Sequence, residues 1–296
     1  MIGTYKRILN SIGLFFTKSA PASGGGLGIV LFSKDRPMQL EALLESIKQC
    51  ISGDYQIVIQ WQTSSADFEK AYGQVLKKYS DIIFEHVKET NFKSDLINVV
   101  KNIKFSRLMF LVDDILFVNP FSIEWLNDID LRKNVPSIRL WSGINYTQPS
   151  DSISPAPYLS PFAMEPWSSF SWMESSGYWA MPLAVDGNVF DTKEILFLLE
   201  RTQFKAPNTL EKAFGPYRFK FKYRKGLCLQ HPIILNFALN RVNIENNDFA
   251  CGDEYTSEKL LDLWHLGYRI DIKEMQKIKA NSCHIICEPL FKELNC

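Results

Sequence analysis

The first half of the chain alternates short apolar runs with longer stretches in which apolar residues recur every three or four positions. Four runs have the length of a buried strand, at residues 28–32, 55–61, 82–87 and 108–112. The stretches between them carry the apolar stripe of a helix, near residues 40–47, 68–79 and 92–103. Strands that alternate with helices in this way predict an α/β fold with a mostly parallel sheet flanked by helices.

Polar residues follow three of these runs directly, at 33–36, at 63–65 and as the pair Asp113-Asp114. Right-handed crossovers bring the C-terminal ends of parallel strands to one edge of the sheet, where ligands of open α/β sheets bind. We therefore expect these residues to face one crevice. Two neighbouring carboxylates raise each other's pKa unless a cation lies between them. The pair predicts a divalent metal ion with an anionic ligand on its far side.

The second half of the chain has a looser pattern. We predict strands at 137–140, 178–185, 226–231 and 268–272. We predict helices at 192–201, from Pro207 onward, and at 255–266, where Gly267 suits the C-terminal cap. Residues 148–172 are rich in proline, serine and aromatic side chains and predict a long loop.

Composition and charge exclude several classes of protein. Hydrophobic residues make up 46% and charged residues 22%, as in ordinary soluble globular proteins. The 33 basic residues balance the 33 acidic ones, so the chain lacks the basic excess of a nucleic-acid-binding protein. Six scattered cysteines do not suggest a disulfide framework and favour a reducing compartment, so we expect a cytoplasmic location. No run approaches the ~20 apolar residues of a membrane span.

The N-terminal segment differs in character from the rest. Residues 5–18 mix basic and apolar side chains, which is typical of an amphipathic helix in peripheral contact with a membrane. Two other interpretations stay open, a signal-like segment and a leader that packs on a partner. Residues 19–26, SAPASGGG, have the composition of a flexible linker. We therefore expect residues 1–26 to precede a single domain at 27–296.

Five short segments carry a resemblance to a known family: VLFSKDRPMQL at 30–40, FLVDDILF at 110–117, MPLAVDGNVF at 181–190, APNTLE at 206–211 and NRV at 240–242. Over about residues 28–272 the chain resembles glycosyltransferases of the GT-A fold, nearest to family-2-like enzymes of bacterial surface-polysaccharide synthesis. The resemblance implies a Rossmann-like sheet, with a nucleotide-sugar-binding half at 27–120 and a less regular acceptor-binding half at 121–296.

The resemblance also implies a reaction. Such enzymes move a sugar from a nucleotide-sugar donor to a hydroxyl of a glycan or lipid-linked acceptor, with Mn²⁺ or Mg²⁺ as cofactor. Their DxD motif aligns with Val112-Asp113-Asp114, so its first position is apolar here. The metal-binding role of the last aspartate carries over to Asp114. Val112 cannot hold the nucleotide as the first aspartate does, and Asp113 covers part of that work beside the metal.

Glu211 matches the family's catalytic base by its order along the chain, and its use as the base implies an inverting reaction. The alternative is a capping box, because Asn208-x-x-Glu211 has the spacing that fastens a helix start. Asp186 is a second catalytic candidate that would bind sugar hydroxyls, or else an ordinary turn aspartate. His231 is a candidate further metal ligand, with a structural histidine as the alternative.

Five further residues are candidate contacts to the donor. Ser33, Asp35 and Arg36 follow the first strand, where the family's loop reaches the nucleotide, and Arg36 suits the diphosphate. The alternative for Asp35 is the N-cap of the following helix. Thr63 follows the second strand, and Lys93 lies at the start of the third helix.

Two other functions stay open from the sequence. A sugar nucleotidyltransferase also places metal-binding carboxylates at the edge of an α/β sheet. Such an enzyme usually has a glycine-rich phosphate loop after its first strand, whereas residues 33–36 contain no glycine. A non-catalytic glycan-binding module on the same scaffold is the third interpretation, and Val112 in the motif is the feature that favours it.

Overall fold

The computed structural model describes residues 25–147, 152–153, 155–240 and 254–294. Its strands are β1 Gly26–Lys34, β2 Ile51–Ser52, β3 Asp54–Gln62, β4 Ile83–Lys88, β5 Arg107–Val112, β6 Ile115–Phe117, β7 Phe121–Ser122, β8 Asn134–Trp141, β9 Tyr146–Thr147, β10 Ser152–Ile153, β11 Ser160–Pro161, β12 Ser168–Ser171, β13 Val189–Asp191, β14 Lys225–Leu229, β15 Ile234–Phe237, β16 Tyr268–Ile270, β17 His284–Ile285 and β18 Phe291–Glu293.

The α-helices are α1 Pro37–Cys50, α2 Ala66–Lys78, α3 Phe92–Asn102, α4 Thr192–Arg201, α5 Pro207–Ala213, α6 Arg218–Lys222, α7 Ser257–His265 and α8 Ile272–Met275. Short 3₁₀ helices cover Ile123–Leu126, Trp172–Glu174, Gly177–Ala180 and Gly215–Tyr217. Within the described residues, no helix has the length and apolar character needed to cross a bilayer. The predicted membrane-surface helix at 5–18 lies outside the described residues, as do most of the linker and residues 241–242 of the resemblance.

A five-stranded sheet forms the centre of the fold, in the order β13-β5-β1-β3-β4. β5, β1, β3 and β4 run parallel, and β13 pairs antiparallel with β5. Val30 in β1 lies opposite Val58 of β3 and Phe110 of β5, and all three side chains are buried. Because both faces of the sheet are covered at its centre, β1 and β5 form continuous apolar runs in the sequence, whereas the edge strand β4 alternates. The predicted α/β class and mostly parallel sheet are confirmed.

Helices α1, α2 and α3 connect the parallel strands, and each begins where the local sequence favours it. Pro37 occupies the first turn of α1, where a backbone N–H would have no helical partner. The Ser65 hydroxyl accepts a hydrogen bond from Phe68 N at the start of α2. The Asn91 side chain accepts one from Ser94 N at the start of α3. The apolar stripes predicted from the sequence are the faces that these helices bury.

The second half of the chain adds smaller sheets beside the central one. β8 and β14 are parallel neighbours in a four-stranded sheet, and β6 pairs with β15. Several predicted elements are confirmed with bounds that differ by a few residues: the strands at 137–140 and 226–231 as β8 and β14, and the helices at 192–201, from Pro207 and at 255–266 as α4, α5 and α7. The extended segment predicted at 268–272 is β16, which leads into α8.

The strand predicted at 178–185 is wrong. Its first residues belong to the 3₁₀ helix Gly177–Ala180, and turns follow. Trp179 is buried against Phe170, with ring centroids 4.9 Å apart, and Phe170 lies 4.6 Å from Trp172. A short apolar run can be buried in an aromatic cluster as well as in a sheet, so its hydrophobicity does not specify a strand.

Candidate active site

A cavity of about 590 Å³ opens at the C-terminal edge of the central sheet. Its walls come from the ends of β1, β3 and β5, the loop after β4, the start of α5, and side chains of β15 and β17. The titratable residues that line it are Lys34, Arg36, Glu89, Asp113, Asp114, Asp186, Lys205, Glu211 and His284. The predicted crevice is therefore present, and residues from both halves of the chain meet in it.

Arg36 lies between the two aspartates that end β5. Its Nη1 is 2.9 Å from Asp113 Oδ1 and 3.0 Å from Asp114 Oδ2. All three side chains are largely buried, since each exposes no more than 12% of its surface. The cation that the carboxylate pair requires is thus supplied by the protein, from the loop that follows β1. The sequence prediction assigned that position to a metal ion alone and placed Arg36 on the diphosphate.

The remaining carboxylate oxygens of this cluster also accept hydrogen bonds. Ser33 Oγ donates to Asp113 Oδ2 over 2.8 Å, and Lys34 N donates to the same oxygen over 3.2 Å. Asn236 Nδ2 of β15 donates to Asp114 Oδ1 over 2.9 Å. Burial raises the pKa of both carboxyl groups above the usual value, and the guanidinium opposes that rise. Although burial lowers the pKa of Arg36, the two aspartates raise it overall.

Asp35 has a structural role in the loop after β1. Its backbone has a positive φ of 51°, which is uncommon for a residue with a side chain. Its carboxylate accepts a hydrogen bond from Ser64 N over 2.7 Å. The N-cap of α1 is Arg36, so the interpretation of Asp35 as that cap is wrong. Asp35 ties the loop after β1 to the loop after β3 and thereby holds Arg36 beside the aspartates.

Three other predicted site residues are not among those that line the cavity. Lys93 Nζ donates to Thr202 O over 2.6 Å and so joins α3 to the end of α4. Thr63 follows β3 and is only partly buried. His231 is exposed in the turn before β15. By contrast, the structure brings together six of the predicted residues, Ser33, Arg36, Asp113, Asp114, Asp186 and Glu211.

Asp186 also lines the cavity, next to the end of β5, in a network of largely buried side chains. Gly187 follows it with a φ of +96°, a conformation that favours glycine, and this turn directs the chain into β13. Asp186 Oδ1 pairs with Arg139 Nη1 from β8. Its Oδ2 lies 3.9 Å from His284 Nε2, and His284 Nδ1 lies 3.0 Å from the Tyr178 hydroxyl. Burial lowers the pKa of His284 to about 4, so this imidazole is neutral near pH 7.

Glu211 has a buried carboxyl group at the side of the cavity formed by α5. Ala206 N and Lys205 N both donate to Thr209 Oγ1 over 2.9 Å, so Thr209 fastens the start of α5. The capping-box interpretation of Glu211 is therefore wrong. Its Oε1 is buried and has no hydrogen-bond partner among the described residues. Burial, with a smaller contribution from the Asp186 charge, raises the pKa of Glu211 to about 7.

Several residues of the site were missed in the sequence. Asn236 and His284 contact the predicted carboxylates, and Arg139 pairs with Asp186. Gln60 is buried at the end of β3 and donates to Phe92 O over 3.1 Å. The available signal was a polar residue within an apolar run, as in Ile234–Phe237 and in the strand that contains Gln60. A buried polar side chain needs a partner, which marks such positions for attention.

The donor set fits a divalent cation only in part. Among the described residues, no group of three or more histidine, cysteine, aspartate or glutamate side chains is placed to hold a metal ion. Mg²⁺, however, is commonly held by one or two carboxylates together with the oxygens of a substrate diphosphate. Asp114 and Asp113 supply oxygen ligands of that kind. These oxygens already contact Arg36, Ser33 and Asn236, so the residues fit a cation only where it binds together with a diphosphate.

No protein-family model matches the chain. A match to a known sequence is nevertheless informative. Over 108 residues the chain is 33% identical to the bifunctional glycosyltransferase pgtA of Dictyostelium discoideum. The sequence match is to a glycosyltransferase. The matched region is 33% of this chain but only 14% of the relative's length, so the match concerns a small part of that protein. The match supports the resemblance to glycosyltransferases noted from the short segments.

Three solved structures are distantly similar. Residues 1–349 of S. aureus TarS in complex with UDP-GlcNAc match with a TM-score of 0.49 and 10% identity, over 80% of this chain and 66% of TarS 1–349. A nucleotidyl transferase from Methanothermobacter matches with 0.40 and 10%, over 71% and 89%. The Pyrobaculum calidifontis mannosyltransferase PcManGT, in complex with GDP-Man and Mn²⁺, matches with 0.30 and 11%, over 44% and 41%. These TM-scores are too low to support any argument about function.

Proposed function

We propose that this protein is a glycosyltransferase that moves a sugar from a nucleotide-sugar donor to a hydroxyl of a glycan or lipid-linked acceptor. The observation that carries the proposal is the pairing of two different sites in one cavity. The same cavity is lined by the Arg36, Asp113 and Asp114 cluster and by Glu211, whose pKa is raised to about 7. Transfer from a diphosphate to a hydroxyl needs charge stabilisation at one end and a base at the other. The partial similarity to pgtA supports this assignment.

The donor would bind at the wall formed by residues 27–120. Lys34 and Arg36 line this part of the cavity, and cationic side chains are strong donors to phosphate oxygens. Asp114 and Asp113 would hold the Mn²⁺ or Mg²⁺ ion that accompanies the diphosphate. When bound, such an ion stabilises the negative charge that develops on the leaving nucleoside diphosphate. Asp35 acts through Arg36 by fixing the loop that carries it.

The acceptor would bind at the wall formed by residues 121–296. Glu211 takes the proton from the acceptor hydroxyl while the hydroxyl oxygen attacks the anomeric carbon of the donor sugar. The bond from that carbon to the diphosphate oxygen breaks, and the nucleoside diphosphate leaves with the bonding electron pair. A single displacement of this kind inverts the anomeric configuration. Asp186, held by Arg139, would bind acceptor hydroxyls beside the base.

Binding of nucleoside diphosphates provides the direct test. UDP, GDP, ADP and CDP would each be added with Mn²⁺ or with EDTA while thermal unfolding is recorded. A ligand at about 100 times its Kd stabilises the native state by about 2.7 kcal/mol, which raises the Tm of a chain of this size by about 5 °C. We expect one diphosphate to do this, more strongly with Mn²⁺. Mn²⁺ alone should produce no shift, because Arg36 already pairs with both aspartates and no group of three or more ligating side chains is placed to hold a metal ion among the described residues.

Asp114→Ala should remove the additional shift caused by Mn²⁺. Asp262→Ala, at an exposed position of α7, is the matched control and should behave as the parent. A protein that no nucleoside diphosphate stabilises would not be a glycosyltransferase of this kind. Release of pyrophosphate from a nucleoside triphosphate and a sugar phosphate would instead identify a nucleotidyltransferase.

The charge of Asp186 should set the pH at which Glu211 ionises. Asp186→Asn removes a negative charge that raises the pKa of Glu211, so that pKa should fall. The pH at which transfer reaches half its maximum should fall with it. Titration of Glu211 by carbon-13 NMR would measure the shift independently of activity. Asp262→Asn is the control and should leave the titration of Glu211 unchanged. An unchanged titration in Asp186→Asn would show that the charge of Asp186 does not influence the pKa of Glu211.

A further inference from the structure

A basic and aromatic segment begins directly after Glu211, within the last turn of α5. Residues 212–225 contain Lys212, Tyr217, Arg218, Phe219, Lys220, Phe221, Lys222, Tyr223, Arg224 and Lys225. The segment has no acidic residue, although the whole chain has equal numbers of basic and acidic residues. It forms the end of α5, the 3₁₀ turn Gly215–Tyr217, α6 and the start of β14. A local excess of positive charge of this kind favours binding of a negatively charged partner.

Part of this segment serves the fold. Phe221 is buried in the core. Arg224 Nη2 lies 2.6 Å from Glu194 Oε1, and Lys220 Nζ lies 3.4 Å from the same oxygen. Glu194 lies in the first turn of α4, so these ion pairs fix α6 against that helix. This rigid attachment determines which side chains of α6 turn toward solvent.

The other aromatic side chains of α6 are exposed. Phe219 exposes 47% of its surface and Tyr223, which caps the helix, exposes 80%. These residues are four positions apart, so they share one side of a helical turn, and Lys222 lies on the same side three positions after Phe219. Transfer of two exposed aromatic side chains from water into an apolar environment is favourable, so a partner that covered both rings would be stabilised by their burial.

Three lysines of the segment are available to an external partner. Lys212, Lys222 and Lys225 take part in no ion pair that involves the described residues. Exposed aromatic rings next to lysines form the composition of a membrane-interface surface, where rings enter the headgroup region and ammonium groups bind anionic lipid. A stable protein interface would instead need roughly 1,000 Å² or more of buried surface, which two rings on one helical turn do not supply.

We propose that this surface, centred on Phe219, Lys222 and Tyr223, docks the protein on an anionic lipid bilayer. The segment begins one residue after Glu211, so docking would hold the acceptor wall of the cavity near the membrane. This consequence rests on the proposed function and selects a lipid-linked acceptor over a soluble glycan. The docking itself is independent of catalysis.

Co-sedimentation of the full chain with vesicles tests the proposal. Vesicles of phosphatidylcholine alone would be compared with vesicles that also contain phosphatidylglycerol, at low and high salt. We expect binding to the anionic vesicles only, weakened by salt. Phe219→Ser/Tyr223→Ser should weaken it by at least about tenfold, and Lys222→Glu by at least about fivefold, since each basic side chain near the bilayer contributes about that factor. Phe84→Ser removes a ring that is 61% exposed on β4 and should bind as the parent.

The predicted leader helix requires a second background, because residues 5–18 have a similar composition. The same losses should therefore appear in a Leu9→Glu/Phe16→Glu chain. The proposal would be overturned if binding did not depend on lipid charge. It would also be overturned if Phe219→Ser/Tyr223→Ser did not weaken binding in either the parent chain or the Leu9→Glu/Phe16→Glu chain. A change in the oligomeric state of Phe219→Ser/Tyr223→Ser without any loss of vesicle binding would assign the surface to a protein contact instead. Nucleoside diphosphate binding, measured in parallel, should be unchanged, so failure of docking and failure of the proposed function are distinguishable.

Discussion

Replacement of Glu211 by glutamine should lower glycosyl transfer by about 10²–10⁴-fold and leave nucleoside diphosphate binding unchanged. The amide has nearly the shape of the carboxylate but cannot accept a proton, and a positioned general base contributes a factor of that size. Transfer would be followed by release of the nucleoside diphosphate, and binding by thermal shift. Glu200→Gln, at an exposed glutamate near the end of α4, is the matched control.

The pH dependence separates loss of the base from loss of structure. Glu211 must be ionised to accept a proton, so transfer by the parent should rise with pH and level off above about 7. The residual activity of Glu211→Gln should lack that rise. Equal activity of the variant and the parent would remove Glu211 from the reaction and leave Asp186 as the remaining catalytic candidate.

The same residue should affect stability with a definite sign. Its pKa is raised from the ordinary value of 4.5 to about 7 in the folded protein, so between these values the native state holds the extra proton. Stability then falls as pH rises through that window, because the native state must ionise a buried group. Glu211→Gln should therefore be more stable than the parent at pH 8, with a smaller difference at pH 5.

Replacement of Arg36 by alanine should cost about 3–5 kcal/mol in the free energy of unfolding at pH 7. The substitution leaves the carboxylates of Asp113 and Asp114 buried without their counter-ion, and breaking a buried pair in this way carries such a cost. Denaturant unfolding would measure it. The loss should shrink as pH falls, since a protonated carboxyl group does not require a cation.

Two variants make this prediction specific to the cluster. Arg132→Ala removes the exposed ion pair with Asp130 and should cost less than about 1 kcal/mol. Arg36→Ala/Asp113→Asn should recover part of the lost stability, because it removes one of the uncompensated charges. If Arg36→Ala were as stable as Arg132→Ala, the aspartate pair would not depend on the guanidinium.

Periodicity was sufficient to predict the first half of the fold. The central strands β1 and β5 are continuous apolar runs because both faces of the sheet are covered there, and the intervening helices carry clear stripes. Parallel topology then placed Ser33, Arg36 and Asp113 at one edge from chain order alone. Local rules are reliable here because strands and helices alternate without interruption.

Contacts between distant positions could not be predicted in the same way. Asn236 reaches Asp114 across 122 positions, and Arg139 reaches Asp186 across 47. Each depends on how the smaller sheets pack beside the central one, which no local pattern specifies. The position of Arg36 between the aspartates was missed for a related reason. A buried carboxylate pair needs a cation, but a metal ion and a guanidinium group can both meet that need.

The antiparallel strand β13 has a consequence for how the chain can be divided. It comes from the second half of the sequence yet completes the edge of β5, while β6 and β2 of the first half pair with β15 and β7 of the second. A fragment that ended near residue 120 would leave the edge of β5 open to pairing with other chains. The two halves therefore share strand pairings and do not form separate modules. We expect that point substitutions can change donor or acceptor specificity, whereas exchange of a whole half with another enzyme would break these pairings and destabilise the fold.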